Sequence, residues 1–535
     1  MTGQVAVKSV FFESCGVILI IGDTERVMPV AEKLTGDLKV ITVLSDTCPD
    51  TPVHAGINAI SGIITELSGH LGTFSARGAV PGGTADIGSL SPNDSGFFDL
   101  VIDFSDPPLL SAEVPPYGYY AVARHKSLLQ RALAEAPRLV GRFSKSKYFR
   151  YKHELCTHGS KGVEGCSRCL SSCPANAITS LGEQIHVDAF LCRGCGTCTL
   201  LCPTGALSYA HQDSVTPLQL LRDTLRQIRK SSDDPVHVVL HGSVIDAGKL
   251  EQWLQRAGEH TLPVACKVVA STGMETWLGI LSLGNISLTL LVDGQLPSLS
   301  SSALQRELAS THELLQALGI DAGVITLCNV DETDMPESKF SRISSNDVPE
   351  TIDADHAITN KRQLVWQAVN SLSDQSTLDV HEVALAEGAP FGTIRVSDEC
   401  TLCHACTRLC PTMALSQSGS SDTQKLQFTE ERCVQCGICQ QGCPENAITL
   451  VPQLLLDASR RKQLQVLHEE NIAACIECGA SIMSQALLDS GFKHVKNHPL
   501  FQGNGAKAFK LCANYRIQAA ALDEVLFPRE SMHVI

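Results

Sequence analysis

Two stretches of the chain alternate short, continuous apolar runs with amphipathic ones. This is the pattern of strands buried on both faces with helices packed against them. In residues 1–145, the runs 17–21 and 40–44 have strand length, and 25–34 between them has helical periodicity. A Gly/Ser/Pro-rich stretch, 69–96, is expected to be a loop. A strand at 99–104 follows, then a helix over 119–136 that leads into the basic stretch 142–152. Residues 213–385 repeat the theme, with apolar runs at 236–240, 264–269, 286–292 and 324–327. Helical patterns separate them at 249–257, 274–283 and 304–318. Such alternation predicts an α/β fold with two parallel-sheet segments. The polar stretch 331–355 reads as a surface loop or linker.

Cysteine breaks this pattern. Of 23 cysteines, eight lie between Cys156 and Cys202 and eight between Cys400 and Cys443. The chain therefore divides into an α/β segment (1–145), a cysteine-rich module (146–212), a second α/β segment (213–385), a second module (386–455) and a small C-terminal helical or zinc-ribbon-like domain (456–535). The second module reads Cys400-x2-Cys403-x2-Cys406-x3-Cys410-Pro411, then Cys433-x2-Cys436-x2-Cys439-x3-Cys443-Pro444. Such spacing lets three thiolates curl around a [4Fe–4S] cubane while the fourth cysteine ligates the other cluster. One cluster is thus expected on Cys400, Cys403, Cys406 and Cys443, its partner on Cys433, Cys436, Cys439 and Cys410. Zinc uses single CxxC pairs, not two complete runs ending in Cys-Pro.

The first module departs once from this scheme. Cys192-x2-Cys195-x2-Cys198-x3-Cys202-Pro203 is complete, but its partner reads Cys166-x2-Cys169-x3-Cys173-Pro174, with Val163 where another cysteine belongs. The nearest upstream candidate is Cys156, nine residues before Cys166. The expected sets are Cys156, Cys166, Cys169 and Cys202, and Cys192, Cys195, Cys198 and Cys173. If Cys156 is no ligand, a three-iron cluster or completion by His158 or His153 remains. Each array continues Cys-Pro-x-x-Ala and then Ile or Leu, at Ala177-Ile178, Ala206-Leu207, Ala414-Leu415 and Ala447-Ile448. These residues resemble bacterial two-cluster ferredoxins, in two copies. The resemblance implies paired short hairpins with cluster-binding helices, and a total of four [4Fe–4S] clusters.

Cys475-x2-Cys478-Gly479 and the later Cys512 point to a possible zinc site. The stretch resembles zinc-ribbon-like tails of some bacterial iron–sulfur proteins, but Tyr515 stands where the second pair would end. His494 or His498 could supply a fourth ligand. No nucleotide motif appears: Gly16 and Gly22 lack a G-x-G-x-x-G, and the glycines of 78–83 lack the P-loop Lys-Ser/Thr and read as turns. Cys15, Cys48, Cys266 and Cys328 lie in or beside apolar runs and read as small core residues, and His237 and His241 as structural. The 213–385 segment faintly resembles the small α/β subunit of some hydrogenases and heterodisulfide reductases, without its cysteines.

Composition narrows the function. A net charge of −15 and only 5% aromatic residues argue against nucleic acid or an anionic membrane as partner. The longest apolar stretch, 277–292, falls short of the roughly 20 residues of a membrane span. With no secretory pattern at the N-terminus, a soluble, cytoplasmic protein is expected, its cysteines bound to metal and not paired in disulfides. Four clusters with no visible substrate pocket describe a non-catalytic electron-transfer protein or subunit of an oxidoreductase complex. The plan resembles polyferredoxin-type proteins encoded beside formate dehydrogenases, which implies such an enzyme as redox partner. The alternative is a reductase with its own active site at the atypical cluster or an undetected flavin.

Overall fold

The computed structural model describes residues 8–46, 56–81, 83–93, 95–210, 215–230, 234–333, 339–340, 361–374, 382–502 and 504–522. Most of 331–355 and Cys48 fall outside these residues. Mixed α and β structure with parallel sheets is what the apolar pattern predicts. In the N-terminal sheet Val17–Gly22 is central and buried at every position. Lys39–Leu44 flanks it on one side and Leu100–Asp103 on the other, with Ile57–Ser61 and Tyr119–Ala121 at the edges, all parallel. Side chains of alternate parity feed separate cores on the two faces, Ile18 and Ile20 into one, Val17, Leu19 and Ile21 into the other. The Thr24–Leu34 helix starts at Asp23, whose carboxylate accepts the Arg26 N–H at 3.0 Å.

Two local expectations need correction. The 69–96 stretch is not a loop: Ser75–Val80 and Gly83–Asp86 are strands, and with Ile63–Ser68 they form an antiparallel sheet. Gly78 is a strand residue for steric reasons, because a Cβ there would lie 2.4 Å from the Ile63 carbonyl oxygen. Nor is 119–136 one helix. Its first residues form the edge strand, held by the Tyr119 hydroxyl donating to Asp103 at 2.5 Å, and the helix spans only Lys126–Glu135.

The second parallel sheet runs in the order Thr261–Cys266, Val236–Gly242, Ile286–Val292, Ile325–Asn329. The Met274–Leu281 helix on its face is buried at all eight positions. It packs against Lys361–Asp374, a helix with one apolar side built from Leu364, Val365, Ala368, Val369 and Leu372.

Both cysteine modules are built from short antiparallel pairs. The Cys-Pro-x-x-Ala tails run into the strands Ile178–Ser180, Leu207–Tyr209, Leu415–Gly419 and Ile448–Leu455. Gln465–Ala474 then pairs with Thr423–Phe428, extending the second module's sheet toward the C-terminus.

Adjacent residues of the Lys361–Asp374 helix hold the modules to this frame. Lys361 Nζ donates to the carbonyls of Thr199, at 3.0 Å, and Leu200 in the first module, and sits 3.4 Å from the buried Glu275 carboxylate. Arg362 donates to the carbonyls of Glu431 and Pro390, each at 2.9 Å, and of Cys433 in the second. The Lys361 charge also acts on half-buried Glu307, whose carboxyl desolvation raises while Lys361 pulls it the other way. Lys361→Met should therefore destabilise the fold by about 3–5 kcal/mol, because it strands the buried Glu275 carboxylate. A denaturant titration checks this, and adding Glu275→Met to that variant should recover part of the loss.

Candidate metal centres

The local backbone explains why these arrays can wrap a metal centre. In the three complete CxxCxxC turns, the residue before the second cysteine and the one after it have positive φ. They are Gly194 and Gly196, Leu402 and His404, and Gln435 and Gly437. Each tail repeats the device before its alanine, at Asn176, Gly205, Met413 and Asn446. Alternating handedness turns successive N–H groups toward one point, a concavity suited to negative charge. Donors reach the sulfurs accordingly: Ala177, Ala414 and Ala447 donate to Cys173, Cys410 and Cys443, each at 3.3 Å, and Leu207 to Cys202 at 3.4 Å. Alanine is small enough to leave that approach open.

The thiols gather in fours across the arrays. Burial is the main cause raising Cys166, Cys169, Cys173, Cys192, Cys198, Cys400, Cys406, Cys433, Cys436 and Cys439, and the remaining effects show which sulfurs face one another. Cys166 and Cys169 feel Cys156 and Cys202. Cys192 feels Cys195 and Cys173, and Cys198 feels all three. Cys406 feels Cys400, Cys403 and Cys443, and Cys439 feels Cys433, Cys436 and Cys410. Burial pushes Cys192 up to about 11, and Cys406 and Cys436 up to about 12. Such thiols stay protonated at neutral pH unless a cationic centre draws them into coordination.

Their spread fits a cluster better than a single ion. Among the described residues, only Cys475, Cys478 and Cys512 bring three ligand atoms within 4.8 Å of one another. The quartets are wider, and Cys400, Cys403, Cys406 and Cys443 line a small pocket with apolar walls from Leu402, Leu426 and Ile448.

Cys156 takes its place in the first quartet with a hydrogen bond from the Tyr151 hydroxyl. His158, the alternative ligand, is already committed. Its Nδ1 lies 2.9 Å from the Cys166 carbonyl and its Nε2 2.7 Å from Ser180 Oγ. His153 lies at the surface, 3.4 Å from Glu154. The nine residues between Cys156 and Cys166 form a small hairpin, Gly159–Ser160 with Val163–Glu164, which rests on the second module. A Cβ on Gly165 would lie 2.5 Å from Ile438 Cγ1, and the Val163 side chain faces Gly442. The packing brings Cys166 close enough to act on Cys436. Within the modules, Cys198 acts on Cys169 and Cys439 feels Cys406. The quartets thus follow one another in the order Cys192, Cys156, Cys433, Cys400, naming each by its first cysteine.

Two buried cations were invisible in the residue pattern. Lys145 Nζ donates to the carbonyls of Phe190 and Cys192, at 2.7 and 2.9 Å. Burial lowers it to about 8, with the Cys192 thiolate pulling the other way. Arg362 is lowered by burial to about 10 and so keeps its charge. Neither stands near its target in the chain, so only a contact reveals them.

At the C-terminus, Cys478 and Cys512 Sγ are 3.7 Å apart. A zinc–sulfur tetrahedron with bonds of roughly 2.3 Å has edges of roughly 3.8 Å. Desolvation raises Cys475, but N–H groups of Cys512, Cys478 and Glu477 outweigh it and bring it down to about 6. His494 and His498 do not join the trio within that radius. Tyr515 sits on the Ala513–Leu522 helix just after Cys512.

Of the isolated cysteines, Cys266 and Cys328 are buried as expected, and Cys15 is exposed, at the turn between its neighbouring strands. His237 bonds Thr289 Oγ1 at 2.9 Å, a structural role. At Gly22, beside the carboxyl end of the central N-terminal strand, a Cβ would lie 2.7 Å from Phe104 Cβ. The ends of the two neighbouring strands therefore pack closely there.

Comparison with known proteins agrees with the modules. A family profile described as a 4Fe-4S dicluster domain matches residues 164–206 and 399–447. Hydrogenase-4 component A of Escherichia coli K12 is 45% identical over 40 residues, 8% of this chain and 20% of that protein. NADH-quinone oxidoreductase subunit I 2 of Geobacter metallireducens is 23% identical over 77 residues, 13% of this chain and 59% of that one. The chain therefore spans a fifth of the first relative and about three fifths of the second. No helix among the described residues is long and apolar enough to cross a membrane. The chain thus carries two segments, one in each cysteine-rich module, that match a 4Fe-4S dicluster domain.

Proposed function

We propose that the chain is a four-cluster relay, with a [4Fe–4S] cluster on each quartet. Each cluster supplies one-electron storage at a potential set by charge, hydrogen bonds and exposure. The ligand sets are Cys192, Cys195, Cys198 and Cys173; Cys156, Cys166, Cys169 and Cys202; Cys433, Cys436, Cys439 and Cys410; and Cys400, Cys403, Cys406 and Cys443. The observation that carries this reading is the serial order of the quartets, joined at its middle where the 157–165 hairpin packs on the second module, Gly165 against Ile438 and Val163 against Gly442. Two separate ferredoxins would need no such junction. The 157–165 hairpin is the piece of chain that makes it, and its length is the reason Cys156 lies so far upstream.

The same reading assigns Cys475, Cys478 and Cys512 to zinc, with the fourth position filled from outside this trio. The partner is a redox enzyme. The relatives are by name components of a hydrogenase and a quinone oxidoreductase, and the sequence plan favours a molybdenum- or tungsten-dependent formate dehydrogenase. The five segments then act as two α/β bodies, two relay modules and a C-terminal metal-binding piece.

Anaerobically purified protein should contain about 16 iron with matching sulfide, and about one zinc. A count near 8 iron would sink the four-cluster reading. Cys156→Ala should lower iron by about one to four atoms, while His158→Ala should leave iron content unchanged. Val163→Asp, at the junction, should keep all the iron yet weaken the magnetic coupling between modules in EPR of the reduced protein. Unchanged coupling would mean that the hairpin does not set the junction.

A further inference from the structure

The two modules share a feature that their cysteine spacing does not contain. In each, a buried cation from outside the array donates to the carbonyl of the array's leading cysteine. Lys145, on the strand Gly141–Ser146, donates to Cys192 at 2.9 Å. Arg362, on the Lys361–Asp374 helix, donates to Cys433. The two cysteines occupy the same position, first in the second CxxCxxCxxxCP run of their module. The cations come from unrelated elements, one from the N-terminal α/β segment and one from the central segment.

Both are held so that the charge cannot swing away. Lys145 is 7% exposed and lies over the rings of Phe12 and Tyr117, at 5.3 and 5.5 Å. Arg362, also 7% exposed, uses all three of its nitrogens on carbonyls and lies over Trp366 and Phe391, at 5.1 and 4.8 Å. Other charges surround them. Asp188 and Arg193 act on Lys145, and Glu431, Arg168 and Arg461 act on Arg362. At the Cys400 quartet, the acidic Glu470 acts on Cys400, and Arg408, in the same array, acts on His404.

We propose that Lys145 and Arg362 are potential-setting residues, raising the potentials of the clusters on the Cys192 and Cys433 quartets. Adding an electron makes a cluster more negative by one charge, and a fixed cation nearby favours that reduced state. In the second module, the Cys433 cluster then holds the electron in preference to the Cys400 cluster. The pair therefore passes electrons from the Cys400 end toward the junction, and the same bias at Cys192 draws them on to the far end. This inference rests on the relay reading, since it concerns clusters held by those quartets.

The test is a mediated redox titration followed by EPR on the full chain, with iron counted in every sample. Arg362→Gln should lower one midpoint and leave the other three in place. A shift equivalent to about tenfold in that cluster's electron occupancy, ~59 mV for one electron, is expected. Arg362→Lys keeps a charge and should restore most of it. A brace without electrostatic effect would not give that charge-dependent recovery. Lys145→Gln should lower a different midpoint by a similar amount, and it decides the matter alone if Arg362→Gln loses iron. All four midpoints unmoved in iron-complete variants would overturn the proposal. Wild-type protein with far fewer than about 16 iron would instead overturn the relay reading beneath it.

Discussion

The fold turns on two consecutive residues of one helix. Lys361, half-buried, reaches into the first module and Arg362, buried, into the second, and the hydrogen bonds of both go to main-chain carbonyls. Burying a charge is costly unless it is fully partnered. Main-chain carbonyls are partners that cannot rotate away, so each cation fixes the position of the loop it binds. One rigid helix, set into the central α/β core through Val365 and Val369, thereby fixes the two modules relative to each other. This helix and the 157–165 hairpin, packed on Ile438 and Gly442, together set the spacing of the modules.

Within the modules, positive-φ residues do for the sulfurs what the helix does for the modules. Asn176, Leu402, His404, Met413, Gln435 and Asn446 hold left-handed conformations that cost free energy outside a constraining structure. They are arranged around sulfur atoms and turn backbone N–H groups toward them. The Cys166 turn is the exception: no residue between Cys166 and Cys169 has positive φ, and the preceding cysteine has moved upstream. What that turn gives up in regularity it returns as a docking hairpin. The residues inserted by the atypical spacing pack on the second module, with Gly165 against Ile438.

The C-terminal trio stands apart in both geometry and electrostatics. Its sulfurs are close and its backbone donors favour the thiolate at Cys475, whereas the quartet sulfurs are spread and burial raises thiols such as Cys406 and Cys436. One chain therefore presents two kinds of cysteine site, which differ in the spread of their sulfurs and in the backbone donors around them. Cys475 is covered by its own loop, at 3% exposure, while Cys478 remains open to solvent.

Local chemistry was legible in the sequence wherever it is governed by neighbours in the chain. Cysteine spacing determined which thiols can curl around one centre, because a turn of a few residues has little freedom. Continuous apolar runs marked the parallel strands for the same reason, each being buried on both faces. The 69–96 sheet was hidden because its glycines serve close strand approach, a property that depends on Ile63 across the sheet and not on chain neighbours. The edge strand at Tyr119–Ala121 needed the Asp103 partner, and the exposed Cys15 a turn that its flanking sequence does not announce. Lys145, Arg362 and the Cys166–Cys436 approach were decided only by tertiary packing. They join residues far apart in the chain, and a charge's burial, like a sulfur's neighbour, is a property of the assembled core.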